Sequence, residues 1–368
     1  MKILFISRAY PPVLGGIENQ NYGIAHALSE ITPTRIIANK LGKKNLPFFL
    51  PWVALKSFFV IPKYDVVLIG DGILSPLAVL WKTFFRKKKY ISIVHGLDIT
   101  FAHKKSFLGK VYRSVNIPSL KKLDRLIMVG RETIAEAQKL GIPEEKCEFV
   151  PNGFDMNEII SKDNGKDLEK LLGIDLGGKK VIFRGGRFTK HKGVEWFIRN
   201  VMTKLPENYL LVAAGGGIAR KTAGDENYYP KCEKAVKDLG MRNRVKLMLN
   251  LPRPQMKILF NVCDLYISPN IKVHGSLEGF GITAIEAAAC RRVVLAADLE
   301  GLRDAVKDGQ NGFLLEPEKA DIWEKKIKKI LSDDDFRKKF GEKASQFTLE
   351  NYSWDKIARR YLEVIEKT

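Results

Sequence analysis

One local pattern starts twice in this chain, and it constrains the fold more than any other feature. A short apolar run leads into a glycine-bearing loop and then into helical spacing. The first copy is Lys2–Ser7, the loop ending at Gly15-Gly16, and Gly16–Glu30 with Ile17, Ile24, Ala27 and Leu28 on one face. The second is Lys179–Phe183 running into Gly185-Gly186-Arg187. After the first start, apolar runs at Arg35–Ala38, Asp65–Ile69, Tyr90–Val94, Arg125–Val129 and Lys146–Pro151 alternate with helical stretches such as Ile73–Trp81 and Glu132–Leu140. After the second, the runs are Tyr209–Ala213, leading to Gly215-Gly216-Gly217, then Val245–Leu249, Leu265–Ser268 and Val293–Ala297. Gly281–Cys290 is helical between the last two. Strands alternating with helices imply parallel sheets with right-handed crossovers. Two starts imply two doubly wound α/β domains, with ligands held at the carboxyl ends of the strands.

The predicted division is an N-terminal domain over 1–160, completed by a last helix over 353–368, and a C-terminal domain over 175–345. The polar stretch 156–178 reads as a linker. At 368 residues and 45% hydrophobic composition the chain suffices for two cores. Cys147, Cys232, Cys263 and Cys290 are widely spaced, with no Cys-x-x-Cys and no adjoining histidines, so each reads as a small buried residue in a reducing compartment. The opening apolar run is too short for a signal peptide. The longest apolar stretch, Pro47–Pro62, is interrupted by Pro51 and Lys56 and reads as too short to span a bilayer. A cytoplasmic protein is expected.

The formal net charge of +20 admits nucleic acid, an anionic membrane, a phosphorylated substrate or a merely solvated surface. Cations concentrate at Arg86-Lys87-Lys88-Lys89, Lys104-Lys105, Lys110, Arg113 and Lys121-Lys122. Trp81, Phe84, Phe85, Tyr90, Phe101, Phe107 and Tyr112 lie among them. Such a mixture suits a lipid interface or single-stranded nucleic acid.

Four loops carry the chemistry. Gly15 and Gly16, just before a helix, either let backbone N–H groups approach an anion or serve only tight packing. Arg187 and Lys192 lie five apart across a loop that opens a helix; they clamp a diphosphate or are solvated cations. Gly279 and Gly281 flank Phe280 at a helix start, offering N–H groups to a phosphate. Glu278 precedes that helix, and Glu286 lies inside it near an apolar face. A carboxylate there needs a partner, either ribose hydroxyls or an arginine such as Arg187. His95, ending a buried run in His95-Gly96-Leu97-Asp98, reads as a hydrogen bonder.

These motifs together resemble glycosyltransferase family 4. In the family's order stand Pro12-x-x-Gly15-Gly16-x-Glu18, His95-Gly96-x-Asp98 and Val150-Pro151-Asn152-Gly153-x-Asp155. Gly186-Arg187 with Lys192-Gly193, Glu278-x7-Glu286, Asp308-Gly309-x-Asn311-Gly312-Phe313-Leu314 and Tyr352-Ser353-Trp354 follow. The resemblance covers nearly the whole chain. It implies a GT-B architecture, two Rossmann-like domains facing across a cleft, and a retaining transferase using a UDP- or GDP-sugar. It further implies that Arg187 and Lys192 neutralise the departing diphosphate, that Glu286 holds the ribose, and that Glu278 binds the transferred sugar. Gly279, Phe280 and Gly281 would present N–H groups to sugar and phosphate, His95 would lie beside the reacting carbon, and Gly15 and Gly16 would approach the diphosphate.

The nucleotide sugar is then a co-substrate, with no cofactor and no metal required. A lipid-linked or glycan acceptor is expected, with an anionic membrane at the inner face of the cell as partner and no nucleic acid. The sequence departs from the family where Arg291 stands for Gly, Val293 for Pro and Asp304 for Glu, and where Pro269–Leu277 is longer than common. A nucleotide-sugar epimerase of the same architecture would need carboxylates for acid–base work at the sugar. A basic nucleic-acid-binding protein would have no need of the Glu278/Glu286 spacing.

Overall fold

The computed structural model describes residues 1–13, 15–103, 106–216 and 227–368, and of Leu97 the backbone alone. Gly217, Lys104 and Lys105, singled out above, lie outside the described residues. The chain divides into two compact units, Met1–Phe154 with Tyr352–Thr368, and Asp155–Asn351.

The first unit holds six parallel strands: β1 (Ile3–Ser7), β2 (Thr34–Ala38), β3 (Val66–Ile69), β4 (Lys89–Val94), β5 (Arg125–Met128) and β6 (Cys147–Phe149). Their order is β2-β1-β3-β4-β5-β6, with Ile3 opposite Thr34 and Val66. The helices are α1 (Gly16–Ile31), α2 (Leu46–Val60), α3 (Ser75–Phe84), α4 (Gly96–Thr100), α5 (Phe107–Lys122) and α6 (Arg131–Lys139). Alternation along β1 sends its side chains to two cores. Ile3 and Phe5 share one with Ile24 and Leu28 of α1 and with Tyr361 and Ile365 near the C-terminus. Leu4 and Ile6 share the other with Phe49, Val53, Trp81, Tyr112 and Leu120.

The second unit opens with α7 (Met156–Ile159) and α8 (Gly165–Leu172), in the stretch read as a linker. A capping box makes α8: Asn164 accepts from the Lys166 N–H at 2.9 Å, and Asp167 accepts from the Asn164 N–H at 2.9 Å. Asn261 Nδ2 donates to Ile159 O at 2.7 Å, tying this stretch to its own unit. Six parallel strands follow: β7 (Lys180–Gly185), β8 (Tyr209–Gly215), β9 (Val245–Leu249), β10 (Leu265–Ser268), β11 (Val294–Ala297) and β12 (Phe313–Leu315). Their order is β12-β11-β10-β7-β8-β9. Between them run α9 (Val194–Asn200), α10 (Tyr229–Asp238), α11 (Arg253–Val262), α12 (Ile282–Ala289) and α13 (Leu302–Ala305), then α14 (Ala320–Leu331) and α15 (Asp334–Tyr352). The final helix, α16 (Trp354–Lys367), returns to the first unit and packs on α1.

Both sheets are doubly wound, as the alternation predicts. Each reverses winding direction once, between β1 and β3 and between β7 and β10, and loops at such switch points form binding crevices. Arg291, where the family favours glycine, sits at φ 61°, the left-handed region that costs an L-residue strain. Its neighbour closes the turn, with the Arg292 N–H on Ala287 O at 3.0 Å.

The apolar stretch around Pro47–Pro62 behaves differently from expectation. Pro51 and Lys56 do not cut it short: Lys43–Lys63 is one helical run of 21 residues, with mean hydropathy 1.3. By length and composition it suffices to cross a membrane. Here it supplies the β2–β3 crossover, with Phe49, Val53 and Val60 buried and Trp81 Nε1 donating to Ala54 O at 3.1 Å. The basic–aromatic reading also needs revision. Trp81, Tyr90 and Tyr112 are core residues, Phe85 packs against the core, and only Phe84 and Phe107 of that set are well exposed. Lys88 Nζ donates to Pro62 O and Lys89 Nζ to Ile365 O, each at 3.2 Å, so Arg86–Lys89 is not one free patch. All four cysteines are free thiols; three are buried, and Cys147 is half-buried.

Candidate active site

In the second unit the winding switch brings the loop after β7 against the loop after β10. Gly193 lets them close: at φ 69° it is left-handed, and a Cβ there would stand 1.8 Å from Pro269 O. The approach carries Lys192 to Glu278, whose Nζ and Oε2 form an ion pair. Asn270 Nδ2 donates to the same carboxylate oxygen at 2.9 Å. The backbone around Glu278 is fixed as well. Its N–H donates to Glu300 Oε2 at 2.7 Å, and Lys272 Nζ holds the other Glu300 oxygen at 3.0 Å.

Burial, the largest single influence, pushes the Glu278 carboxyl up, but the Lys192 charge together with the neighbouring His191 and the hydrogen bonds from Lys192 and Asn270 outweighs it, and the group settles at about 2. Burial lowers the Lys192 ammonium against the pull of Glu278. His191 next door is depressed to about 3 by burial and then by Lys192; its Nδ1 lies 2.8 Å from Ser276 Oγ and 3.1 Å from Thr189 Oγ1. Glu300 is raised by burial.

Glu278, Gly279 and Phe280 lead directly into α12. Gly281, at φ 93°, is its N-cap, with no side-chain cap and no acidic residue in the first turn. That end presents backbone N–H groups and the positive pole of the helix. Phe280 is buried, which leaves only its backbone to face a ligand there. Glu286 lies one turn further in and is 6% exposed. Its partner is Arg253 at the start of α11, with Nη2 to Oε1 at 2.6 Å, rather than Arg187. Arg187 is exposed on the β7 loop, where a phosphate clamp would need it.

Sequence reasoning missed Asn270, Glu300, Arg253 and Arg184. Arg184, 2% exposed, donates through Nη1 to Gly186 O and so steadies the loop that carries Arg187. Its signal was available: a charged residue within an otherwise apolar run two positions before Gly186.

In the first unit, the loops after β1, β3 and β4 meet at the other switch. Arg8 Nε pairs with Asp71 Oδ1 at 3.0 Å, and the Asp71 side chain is fully buried. His95 Nε2 lies 3.0 Å from Gly70 O, so it carries the proton and donates. The His95 backbone N–H donates to Asp98 Oδ2 at 2.8 Å. Burial depresses the imidazole to about 4, which makes it neutral at pH 7, whereas Asp98 is raised by burial and by Asp71. At Gly15 and Gly16 the first turn of α1 is already supplied with a carboxylate. A Cβ on Gly15 would stand 2.1 Å from Glu18 Oε2, whereas Gly16 faces open space. Among the described residues no three His, Cys, Asp or Glu side chains cluster as a metal site.

These groups predict acid lability. A depressed folded pKa stabilises above the unfolded value and loses that contribution as pH falls through the folded one. For His95 and His191 the loss runs from about 6.5 down to about 4 and about 3; for Glu278 it runs from about 4.5 down to about 2. At ~1.36 kcal/mol per pKa unit, each loss is on the order of 3–5 kcal/mol. Asp98 and Glu300, raised by burial, oppose this by taking protons in the folded state as pH falls toward the carboxylate range, so melting temperature should fall most steeply below about pH 4.5, where the Glu278 and His191 losses add. Glu278→Gln should remove only the loss below about pH 4.5. A melting temperature that does not fall between about pH 4.5 and about pH 3 would contradict these assignments.

Residues 8–158 match the family described as Glycosyltransferase Family 4, and residues 173–347 the family described as Glycosyl transferases group 1. A glycosyltransferase of Methanocaldococcus jannaschii is 26% identical, the match covering 99% of this chain and 97% of that one. The N,N'-diacetylbacillosaminyl-diphospho-undecaprenol alpha-1,3-N-acetylgalactosaminyltransferase of Campylobacter jejuni is 27% identical over 86% of this chain and 82% of its own. Among solved structures, Anabaena HepE in complex with UDP superposes with a TM-score of 0.74 at 19% identity, covering 100% of both chains.

Proposed function

The chain belongs to glycosyltransferase family 4 and has the GT-B fold, and we propose that it moves a sugar from a nucleoside-diphosphate donor to a lipid-linked glycan with retention of configuration. The observation that carries the donor assignment is the Lys192–Glu278 pair at the uncapped start of α12. A cation and a free helix N-terminus suit a diphosphate, and an ionised carboxylate beside them suits sugar hydroxyls. Glu286, steadied by Arg253, is the ribose ligand. The lipid-linked acceptor is supported by the diphospho-undecaprenol substrate named for the Campylobacter relative, and an anionic membrane at the inner face of the cell is the matching partner.

In this reading the acceptor oxygen attacks the anomeric carbon from the face that the diphosphate leaves. The bond from that carbon to the phosphate oxygen breaks, the new glycosidic bond forms, and the acceptor proton passes to the departing oxygen. Arg187 and Lys192 stabilise the charge that develops there, so the protein contributes orientation and electrostatics. Neutral His95 is a hydrogen-bonding group for the reacting sugar. With two cations and a helix N-terminus on the diphosphate, no metal is required, and activity should survive chelation by EDTA.

Melting shifts with a panel of UDP- and GDP-sugars test the donor. A ligand at a hundred times its Kd should stabilise by about 2.7 kcal/mol. Proton NMR of the product from an α-linked donor then reads the anomeric coupling. A β-linked product would overturn retention, and no shift with any nucleotide sugar would overturn the donor assignment.

A further inference from the structure

The helices on one face of the first sheet carry an apolar surface that the chain itself leaves uncovered. In α2, Phe48, Trp52, Leu55 and Phe59 are 76%, 48%, 69% and 80% exposed. Their spacing of four, three and four residues puts them within an arc of about 60°. The opposite side of the same helix, with Phe49, Val53 and Val60, is buried in the core. A helix apolar all round belongs in a protein core or in a membrane, and α2 is half in the first. In α5, Phe107, Leu108, Val111 and Val115 are 78%, 67%, 43% and 46% exposed. The helix α3 lies between and packs against both. It bridges them through Phe58 and Phe84, with rings 5.1 Å apart, and through Ser75 Oγ on Asn116 O at 3.3 Å. It adds exposed Leu80 and Phe84.

The charged residues on these three helices have one sign, and Lys82 of α3 pairs with Asp124 just past the end of α5. No carboxylate occurs between Glu30 and Asp65, between Asp71 and Asp98, or between Asp98 and Asp124. These intervals contain all of α2, α3 and α5. Lys43 and Lys44 stand exposed in the turn that opens into α2, where the helix field disfavours a cation. Lys110 and Arg113 are exposed on α5. Lys56 lays its ammonium over the Trp52 ring, 4.2 Å from the centroid. On the other face of the sheet, α1 and α16 mix both signs, with Glu18, Glu30, Asp355, Glu363 and Glu366 among their residues.

We propose that the α2–α3–α5 face docks on an anionic lipid bilayer, with α2 lying in the plane of the interface. Phe48, Trp52, Leu55, Phe59, Phe107 and Leu108 enter the acyl boundary, and Lys43, Lys44, Lys110 and Arg113 meet the headgroup phosphates. A patch this apolar on a polar rim marks an interaction site. Helices that carry cations and no carboxylate select a lipid surface over an acidic–basic protein interface, and an amphipathic ring such as Trp52 sits well at the headgroup level. This deepens the membrane part of the proposed function by locating the surface away from Arg86–Lys89. It uses no residue of the donor site.

Flotation of the full-length protein with phosphatidylglycerol-containing and pure phosphatidylcholine vesicles tests it. Binding should require phosphatidylglycerol and weaken with salt, and Trp52 emission should shift to the blue, a shift that Trp52→Phe abolishes while binding persists. Replacing Phe48, Trp52, Leu55 and Phe59 together by Ser should lower vesicle affinity by about tenfold or more. Melting should change little, because these side chains face solvent. Donor melting shifts in the same variant should be unchanged, so failure of the surface and failure of the transferase reading are told apart. No vesicle binding, binding undiminished in the quadruple variant, or a stable dimer in solution that shields Trp52 without binding lipid would each overturn the proposal.

Discussion

Lys192→Ala should lower turnover by about one to three decades, and Arg187→Ala should do so to a similar degree, without unfolding the protein. Removing one partner of a buried charge pair costs about 2–5 kcal/mol, and each ~1.4 kcal/mol is a factor of ten in rate. Lys192 is already committed to Glu278 before any ligand arrives. Its alanine variant therefore also leaves that carboxylate with Asn270 as its remaining side-chain donor. Glu278 should then ionise less readily, so Lys192→Ala and Glu278→Gln should fail to add in a double-mutant cycle. Arg187, exposed on its loop, should cost rate with little loss of melting temperature. Steady-state kinetics with the identified donor, alongside thermal melts, measure both. Near-wild-type turnover in the two alanine variants would remove the clamp.

Glu286→Gln should weaken binding of the free nucleoside diphosphate by about one to two decades, because hydrogen bonds to a charged group contribute about 1.5–3 kcal/mol. Titration calorimetry on the folded variant reads this directly. The Arg253 contact adds a control. If Glu286 binds ribose and Arg253 only steadies it, Arg253→Ala should cost less affinity than Glu286→Gln. The Glu286 side chain is 8% exposed against 39% for that of Arg253, so Arg253→Ala strips the pair from the carboxylate's side, and its melt should fall more than its affinity. Normal nucleotide binding by Glu286→Gln would make the pair purely structural.

The strands were legible because a buried parallel strand is a continuous apolar run and its helix has its own period. Val245–Leu249 and Leu265–Ser268 stand where those runs place them. The glycine-bearing loops were legible for a related reason: backbone that must turn sharply or approach closely at a strand's end admits little else, as Gly193 shows. The region around α8 was not. Its stability lies in a capping box and a few leucines, and polar composition there resembles a linker. Arg253 was hidden by distance, 33 positions before the glutamate it meets. Glu300, 22 positions after Glu278, holds a backbone N–H, which no residue pattern announces.

Periodicity, glycine placement and the order of the motifs thus determined by themselves that the chain makes two doubly wound units and which loops bear charge at their strand ends. Those are local properties, set by hydrogen-bonding geometry within a few residues. Only the tertiary structure decided which charges meet, because the winding switch between β7 and β10 juxtaposes loops that stand far apart in the chain. It alone decided, too, that α2 keeps one apolar side on the core and the other in solvent. An apolar run reports that burial is favourable, while the number of neighbours available to provide it depends on how the whole layer packs.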